Sequence, residues 1–435
     1  MYYRAFRAQT AMSKRISLWF SAPLLGILAF HMICESMVIP VLVPTLIEAS
    51  SAAHDMLPGF SDSARKLAYG FVLSVYPVAL FFCAPIIGSL SDSVGRKAVL
   101  LATLCGAVLG CAAQGLAMEF LSVWLLALGR VAVGITAGVD GTIQAALVER
   151  CSGKNQKNFY LGATLLAMSL GLMFGPAFAA LFIDESASAF TWSLPFFITA
   201  ALFALAAFAL SFSMPGSARV AKSELSRIDW LGGLRDIGIL AKSKRSRTLV
   251  SIFCLNQVGA GAFFAAVPLV LESESGFSAR EIAAFLSVEG VFSGAVFAFL
   301  GPALLRRASA PKALVASLAV GSATVALPLV SENYWAMWAI PPMQAGGFAL
   351  SYFVTLAIFS EGAPEGRRGW VLSVLSSLWG LTMGIGLALC GLLAGFADEF
   401  CIAVCLALCA ASLALSVRAR ASILGSVSGD AGDCV

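Results

Sequence analysis

Twelve long apolar segments restrict the fold of this 435-residue chain more than any other feature. Each has about 20 residues or more, enough for a helix to cross roughly 30 Å of hydrocarbon. Charged residues make up only 12% of the chain, about half the share in a soluble domain. We therefore predict an all-α integral membrane protein with twelve transmembrane helices and exclude a soluble enzyme, a disordered protein and a nucleic-acid binder. The predicted segments are 17–47, 68–90, 98–117, 121–148, 158–183, 188–213, 248–271, 282–304, 311–330, 335–360, 369–396 and 399–417.

One long polar stretch divides these segments into two sets of six. Gly88 and Gly301 end the second and eighth segments 213 residues apart, and Glu149 and Glu361 end the fourth and tenth 212 residues apart. Two matches at nearly the same offset predict two pseudo-symmetric six-helix bundles with a binding site between them. The predicted parts are an N-terminal tail (1–16), an N-terminal bundle (17–213), a central loop (214–247), a C-terminal bundle (248–417) and a C-terminal tail (418–435).

Lys and Arg residues fall almost entirely on one predicted side of the membrane. If the N-terminus is cytoplasmic, inward segments carry 24 of them, outward loops carry Arg65, Lys66 and Arg280, and Arg130 lies within a span. Loops that remain in the cytoplasm are enriched in Lys and Arg. We predict a multi-pass protein of the inner or plasma membrane with both termini and the central loop in the cytoplasm.

Neither a metal centre nor a catalytic site is predicted. The eleven cysteines lie mostly in apolar runs without a CxxC pair, and His31 and His54 are the only histidines. Cysteines in such surroundings act as small apolar packing residues. Since no nucleophile–base set or phosphate loop stands out, we expect no enzyme activity and no cofactor.

The most specific motif follows the second segment, where residues 88–97 read GSLSDSVGRK. This matches the G-x-L-x-D-x-x-G-R-K loop of the major facilitator superfamily, and the resemblance covers essentially the whole chain. A cytoplasmic basic loop would explain the charges but not the acid at that spacing. The resemblance implies a conformational-switch loop, in which the counterpart of Arg96 pairs with an acid at the end of helix 4, here Glu149. The loop residues are Gly88, Asp92, Gly95, Arg96 and Lys97.

Two further segments resemble signatures of proton-coupled members of this family. Arg130, four residues before Gly134, is similar to their R-x-x-x-G motif, and an arginine in an apolar span costs at least about 2.5–3.5 kcal/mol. Gly171, Gly175 and Pro176 are similar to the G-x-x-x-G-P-x-x-G-G motif of the antiporters, with alanines at the last two glycine positions. An alternative for the glycines is ordinary helix packing, because GxxxG is common in membrane helices.

Only three acids, Glu35, Asp140 and Glu289, lie well inside the predicted spans. A carboxyl held in the membrane is costly and can exchange protons there. His31 lies four residues before Glu35 on the same helical face, and the alternative for this pair is a structural bridge between helices. Asp140 and Arg130 are about 15 Å apart along their helix and about 80° apart around it, so both can face one cavity. We predict that Glu35, His31, Asp140 and Arg130 couple transport to protons.

The second half supplies polar and aromatic candidates for a substrate cavity. Glu289 either contacts substrate or satisfies a neighbouring side chain, and each of the others, taken singly, is alternatively a packing residue. A cavity with few charges suits lipophilic or amphipathic substrates. The further candidates are Asn256, Gln257, Gln344, Tyr352 and Trp379.

These features together predict a secondary transporter that exports a small hydrophobic or amphipathic molecule in exchange for protons by alternating access. The resemblance is to the twelve-helix drug–proton antiporters of the tetracycline and multidrug exporter type. The alternatives are a proton symporter, a metabolite or siderophore transporter of the same fold, and a non-transporting membrane receptor or scaffold. We expect a monomer in the lipid bilayer whose partners are its substrate and protons, with no nucleic acid.

Overall fold

The computed structural model describes residues 18–47, 55–151, 154–182, 189–214, 232–362 and 368–424. Within these ranges the regular secondary structure is entirely helical, and twelve helices are long and apolar enough to span a membrane. The prediction of an all-α protein with twelve such helices is confirmed. Their bounds are α1 Leu18–Ile47, α2 Asp62–Val94, α3 Arg96–Glu119, α4 Val123–Val148, α5 Lys154–Ala180, α6 Ala189–Ser213, α7 Lys244–Ser273, α8 Ala279–Arg307, α9 Ala310–Val330, α10 Tyr334–Gly362, α11 Arg368–Ala394 and α12 Asp398–Leu424.

Polar side chains define where several of these helices begin. The hydroxyl oxygens of Ser61, Ser122 and Ser243 accept hydrogen bonds from backbone N–H groups in the first turns of α2, α4 and α7. Ser278 and Glu281 form a reciprocal capping box at the start of α8. Each cap satisfies donors that the helix cannot pair internally and contributes about 1 kcal/mol.

Several helices extend beyond their predicted ends. Gly88 and Gly301 lie inside α2 and α8 rather than at segment ends, and α12 continues to Leu424 into the predicted tail. The motif at residues 88–97 is therefore not a loop, since α2 continues to Val94 and one residue, Gly95, turns the chain into α3. Gly95 has φ 106°, a conformation that favours glycine. Hydropathy ends each segment at the last apolar residue, whereas a helix continues through polar residues until its backbone turns.

Four of the long helices are irregular near sequence-predicted site residues. Helix α1 is interrupted at Met37, two residues after Glu35, and α4 is interrupted at Gly138 and Val139, directly before Asp140. A π-helical turn, Ala345–Ala349, follows Gln344 in α10, and another, Val296–Leu300, interrupts α8. Irregular backbone at membrane depth is tolerated where protein or a polar cavity surrounds it, and π turns are frequent at functional sites.

Helix packing separates the chain into two sets of six. In the first set α3 packs against α4 and α6, and α1 packs against α5 and α6; in the second, α7 packs against α11 and α12. The two sets meet along two seams, α2 against α11 and α5 against α8. Each seam joins the second helix of one set to the fifth helix of the other, as expected of two related halves.

The seam between α2 and α11 is tight at the end of the molecule that bears Lys66, here called the Lys66 end. Lys66 Nζ lies 2.6 Å from Asp398 Oδ2, and Ser63 Oγ donates to the carbonyl of Gly395 at 2.5 Å. Gly70 and Gly391 approach so closely that a Cβ on Gly70 would lie 2.5 Å from the Gly391 Cα. The two bundles are therefore closed against each other at the Lys66 end.

At the opposite end, here called the Arg96 end, part of the predicted central loop is helical. This connector helix, Gly232–Leu240, contacts both α2 and α11. Gly233 lies against Phe81 and Pro85 of α2, and Leu240 is buried in the core of the second bundle. The chain between 214 and 247 is thus not only a polar loop, because nine of its residues form a helix and α7 begins at Lys244. Residues 215–231 and both chain termini lie outside the described ranges.

Candidate transport site

Arg130 is the most enclosed charged side chain of the site, with 1% of its surface exposed. Its Nη2 lies 3.3 Å from Oε2 of Glu35, and its Nε and Nη2 donate to the carbonyls of Val72 and Leu73 at 2.9 and 3.0 Å. The guanidinium carbon also lies 5.2 Å from the centroid of the Tyr76 ring. One side chain on α4 therefore binds both α1 and α2, and the structure brings two of the predicted proton-coupling residues together.

The glycine one turn after Arg130 explains this geometry. A Cβ on Gly134 would lie 2.5 Å from the carbonyl oxygen of Tyr76, so α4 and α2 touch through their backbones there. This approach brings the guanidinium within reach of the carbonyls of α2. The spacing of arginine and glycine is thus a packing requirement as well as a motif.

His31 occupies the interior of the first bundle. Its Nδ1 lies 3.0 Å from the carbonyl oxygen of Ile27, its Nε2 lies 3.4 Å from Oγ1 of Thr136, and its ring packs 4.8 Å from that of Phe203. It is 1% exposed. Among the described residues, none of the hydrogen bonds of His31 joins it to Glu35, although the two share a helical face.

Asp140 begins the second part of α4, after the interruption at Gly138 and Val139. Its Oδ1 is buried and has no hydrogen-bond partner among the described residues. The carboxyl lies within electrostatic range of Tyr76 on α2 and Tyr352 on α10. Since α10 belongs to the second bundle, the Asp140 carboxyl lies within electrostatic range of the other half of the molecule. Its role in proton coupling stays a prediction.

Glu289 and Gln344 lie together in the second bundle. The Glu289 carboxyl is hydrogen-bonded to the side chain of Gln344, and the two residues are 8% and 4% exposed. The Oε1 atom of Gln344 has no partner in the described part of the chain. Both roles expected for Glu289, contact with substrate and satisfaction of a neighbouring side chain, stay predictions.

The other candidates of the second bundle form a polar pair and an aromatic group. Asn256 Nδ2 donates to Oε1 of Gln257 at 3.2 Å and to Oγ of Ser351 at 3.0 Å. The ring of Tyr352 lies 6.4 Å from that of Trp379. The ring of Phe253 lies 6.0 Å, and that of Phe297 6.4 Å, from Tyr352.

Sequence reasoning missed Tyr76, which touches Arg130 and lies in electrostatic range of Glu35 and Asp140. Its hydroxyl is buried without a hydrogen-bond partner among the described residues. The sequence feature that could have identified Tyr76 is its position inside an apolar span, directly before Pro77. A buried hydroxyl is costly unless paired, so such a tyrosine is itself a site candidate.

Helix α5 lies between the two carboxyl-bearing helices α1 and α8. A Cβ on Gly171 would meet the backbone of Ala29, and one on Gly175 would overlap Ser36, both on α1. Met173, between the two glycines, packs directly against Gly290 of α8. The antiporter-like motif is therefore a contact surface that links the helix of Glu35 to the helix of Glu289.

The switch motif lies at the Arg96 end. Arg96 forms a two-pronged ion pair with Glu149, with distances of 2.9 Å from Nε to Oε2 and 2.5 Å from Nη2 to Oε1, as the resemblance implied. Lys97 Nζ donates to the carbonyl of Ser211 at 2.6 Å. A Cβ on Gly88 would meet no atom within 4 Å, so no helix lies close to this glycine in the present state. The side chain of Asp92 lies outside the described part of the structure.

Comparison with known proteins agrees with this architecture. The family model of the Major Facilitator Superfamily matches residues 24–387. The tetracycline resistance protein of class D from Salmonella ordonez is 28% identical over 352 residues, covering 80% of this chain and 84% of the relative. The class C protein from Escherichia coli is 26% identical over 342 residues, covering 75% and 81%.

Two solved structures share the fold. The human organic anion transporter TETRAN superposes with a TM-score of 0.65 at 18% identity, covering 92% of this chain and 98% of that one. The nucleoside transporter NupG gives 0.66 at 14% identity, covering 94% and 100%. Twelve membrane helices in two bundles, with ionisable groups buried near the seams, define a multi-pass membrane transporter. The chain belongs to the major facilitator superfamily.

Proposed function

We propose that this transporter exports a drug-like hydrophobic or amphipathic molecule in exchange for protons. The observation that carries the proposal is the Glu35–Arg130 ion pair, in which the arginine side chain is 1% and the glutamate side chain 23% exposed, with the unpartnered Asp140 carboxyl further along α4. Carboxyls held at membrane depth beside irregular backbone are suited to binding and releasing protons. The tetracycline resistance relatives supply the substrate class.

The Glu35–Arg130 contact provides a way to convert protonation into motion. Ionised Glu35 attracts the guanidinium and holds α1 to α4. Protonation removes that attraction, while Arg130 keeps its carbonyl acceptors on α2 and remains satisfied. Proton binding therefore releases α1 while the guanidinium keeps its backbone acceptors on α2, and α5, packed on α1 through Gly171 and Gly175, transmits the movement to α8.

Substrate is expected to bind between the bundles, near Asp140 and Tyr352. Tyr352 and Trp379 offer apolar and aromatic surface, and Asn256 has a buried Oδ1 without a partner among the described residues. These groups suit a largely apolar molecule with a few hydrogen-bonding atoms. Gln257 and Gln344 are the further polar groups of this half.

The Arg96 end is proposed to face the cytoplasm, because the segments at that end carry most of the Lys and Arg residues. With this orientation both termini are inside an inner or plasma membrane, and the tight Lys66 end is the closed outer side. The Arg96–Glu149 pair and Lys97 then brace the cytoplasmic ends of α3, α4 and α6 during the change of state. We expect the transporter to act as a monomer.

Everted membrane vesicles test the direction of coupling. Acidifying the vesicle interior should drive accumulation of tetracycline, and Glu35→Gln and Asp140→Asn should each abolish it while the protein remains folded in the membrane. Glu281→Gln, a capping residue of α8, is the matched control and should transport normally. Accumulation driven only by an alkaline interior would identify a symporter, and full transport by both carboxyl variants would overturn the mechanism.

A further inference from the structure

A buried carboxyl of the second bundle, that of Glu289, has no charged partner among the described residues. Among the described membrane helices, Glu35 has Arg130 as a counter-charge, whereas Glu289 has only the neutral side chain of Gln344. α8 packs against α5, α7, α9, α10 and the Val38–Leu42 part of α1. No charged side chain of those elements, within the described residues, lies in electrostatic range of Glu289.

An isolated carboxylate at this depth is strongly disfavoured. Removing an unpaired charge from water costs several kcal/mol even after the protein relaxes, so the group takes up a proton or a cation instead. With 8% of its surface exposed, Glu289 is under this constraint. Its resting form is therefore the neutral acid.

Gln344 is suited to hold that neutral acid. A carboxylic acid and a primary amide can form a ring of two hydrogen bonds: the amide N–H donates to the acid carbonyl, and the acid O–H donates to the amide carbonyl. The side chains of Glu289 and Gln344 already share one hydrogen bond, and the buried Oε1 of Gln344 lacks a partner in the described part of the chain. The unpaired Oε1 of Gln344 would accept a hydrogen bond from the O–H of the protonated Glu289 carboxyl.

The position of Glu289 lets its surroundings change during transport. The next residue, Gly290, packs against Met173 of α5, and a Cβ there would lie 2.6 Å from the Met173 Cα. This contact belongs to one of the two seams along which the bundles meet. When the bundles move, the packing around the carboxyl changes, so the proton can be taken up in one state and released in the other.

We propose that Glu289 and Gln344 form a second proton-binding site, located in the C-terminal bundle and additional to the Glu35 and Asp140 site of the N-terminal bundle, so that each cycle exchanges at least two protons. This inference rests on the proposed proton-coupled export. The reaction is only the gain or loss of H⁺ by the carboxyl oxygen of Glu289, with the proton taken from and returned to water. The site of Glu35 and Asp140 then binds one proton in the N-terminal bundle, and Glu289 binds one in the C-terminal bundle.

The number of protons can be measured from the gradient that the transporter sustains. The full chain is reconstituted in proteoliposomes, the membrane potential is held at zero with valinomycin and equal potassium, and one pH unit is imposed. Each exchanged proton then multiplies the attainable tetracycline gradient tenfold, so two protons sustain about 100-fold. Glu289→Gln, which mimics the neutral acid, should sustain about 10-fold, whereas Glu289→Asp and the control Glu281→Gln should stay near 100-fold.

A second measurement needs no variant. Adding tetracycline to the purified wild-type protein in weakly buffered detergent should release about two protons per bound molecule. A wild-type gradient of about 10-fold, release of a single proton, or an unchanged gradient in Glu289→Gln would overturn the second site while leaving proton-coupled export intact. A wild-type protein that ignores the pH gradient would instead overturn the proposed function and this inference with it.

Discussion

Nη2 of Arg130 and Oε2 of Glu35 are 3.3 Å apart, which joins α4 to α1 inside the first bundle. The same guanidinium donates to two backbone carbonyls of α2, so three helices meet at one side chain. A planar fork with five donors can serve all three, whereas a lysine ammonium is a point charge. The site therefore requires the shape of arginine as well as its charge.

Arg130→Lys is expected to keep the protein folded but to lower the tetracycline transport rate at least about tenfold. The reason is that a lysine ammonium cannot bind all three groups that the Arg130 guanidinium binds. Arg130→Ala should also lower the free energy of unfolding by about 3 kcal/mol, since it leaves Glu35 without a counter-charge. Initial rates in everted vesicles and thermal melts in detergent measure the two effects. Arg418→Lys, at an exposed position, is the control, and equal rates for Arg130→Lys and wild type would contradict the prediction.

Gly175→Ala should destabilise the protein by about 1–3 kcal/mol, because its new methyl group would overlap Ser36 and force α5 away from α1. Gly162→Ala lies on the same helix, where a Cβ meets no atom within 4 Å. That variant should melt at or slightly above the wild-type temperature, since alanine favours helix. The comparison of the two melting temperatures is the measurement, and similar values would argue against tight α1–α5 packing.

Asp55, which lies outside the membrane-spanning segments, makes the stability of the folded protein depend on pH. Arg65 donates to both of its carboxylate oxygens, at 2.9 and 2.6 Å, and these hydrogen bonds hold the pKa of Asp55 below its ordinary value. Because the folded-state pKa is the lower one, the pair stabilises the protein above the unfolded pKa. That stabilisation is lost as the pH falls through the folded-state pKa.

We expect the wild-type melting temperature to fall on acidification below about pH 4. Asp55→Asn should be less stable than wild type at neutral pH by about 2 kcal/mol, the scale of a hydrogen bond to a charged group. The difference between the two proteins should narrow as the pH falls. Melts at stepped pH measure it, and a gap that is constant with pH would exclude Asp55 as the titrating group.

Gly88→Leu should leave stability close to wild type, because a side chain there meets open space in the present state. It should nevertheless lower the transport rate severalfold if α2 and a neighbouring helix meet at this glycine in the other state. Melting temperature and initial transport rate are measured on the same preparation. Unimpaired transport would show that no close approach occurs at Gly88.

Hydropathy predicted the helices well because membrane crossing depends on the length and apolarity of a segment, which are local properties. The pairing of Arg96 with Glu149 was also accessible, since a specific motif carried it. The acceptors of Arg130 on α2 were not accessible, because backbone carbonyls leave no mark in the sequence. They depend on how closely Gly134 lets two helices approach.

The interruptions within helices are the other feature that could not be predicted from the sequence. The breaks beside Glu35 and before Asp140 occur in segments that read as continuous apolar runs. A hydropathy profile is insensitive to a turn of two residues or a π-helical turn. The separation of His31 from Glu35 was equally hidden, because four residues place two side chains on one face without deciding which neighbour each one bonds.

The connector helix restricts how the two bundles can move relative to each other. Gly233 lies against α2 while Leu240 is buried in the second bundle, so this short helix contacts both halves at the Arg96 end. Any movement of α2 relative to the second bundle at this end must therefore break the contact of Gly233 with Phe81 and Pro85, displace Leu240 or bend the connector helix.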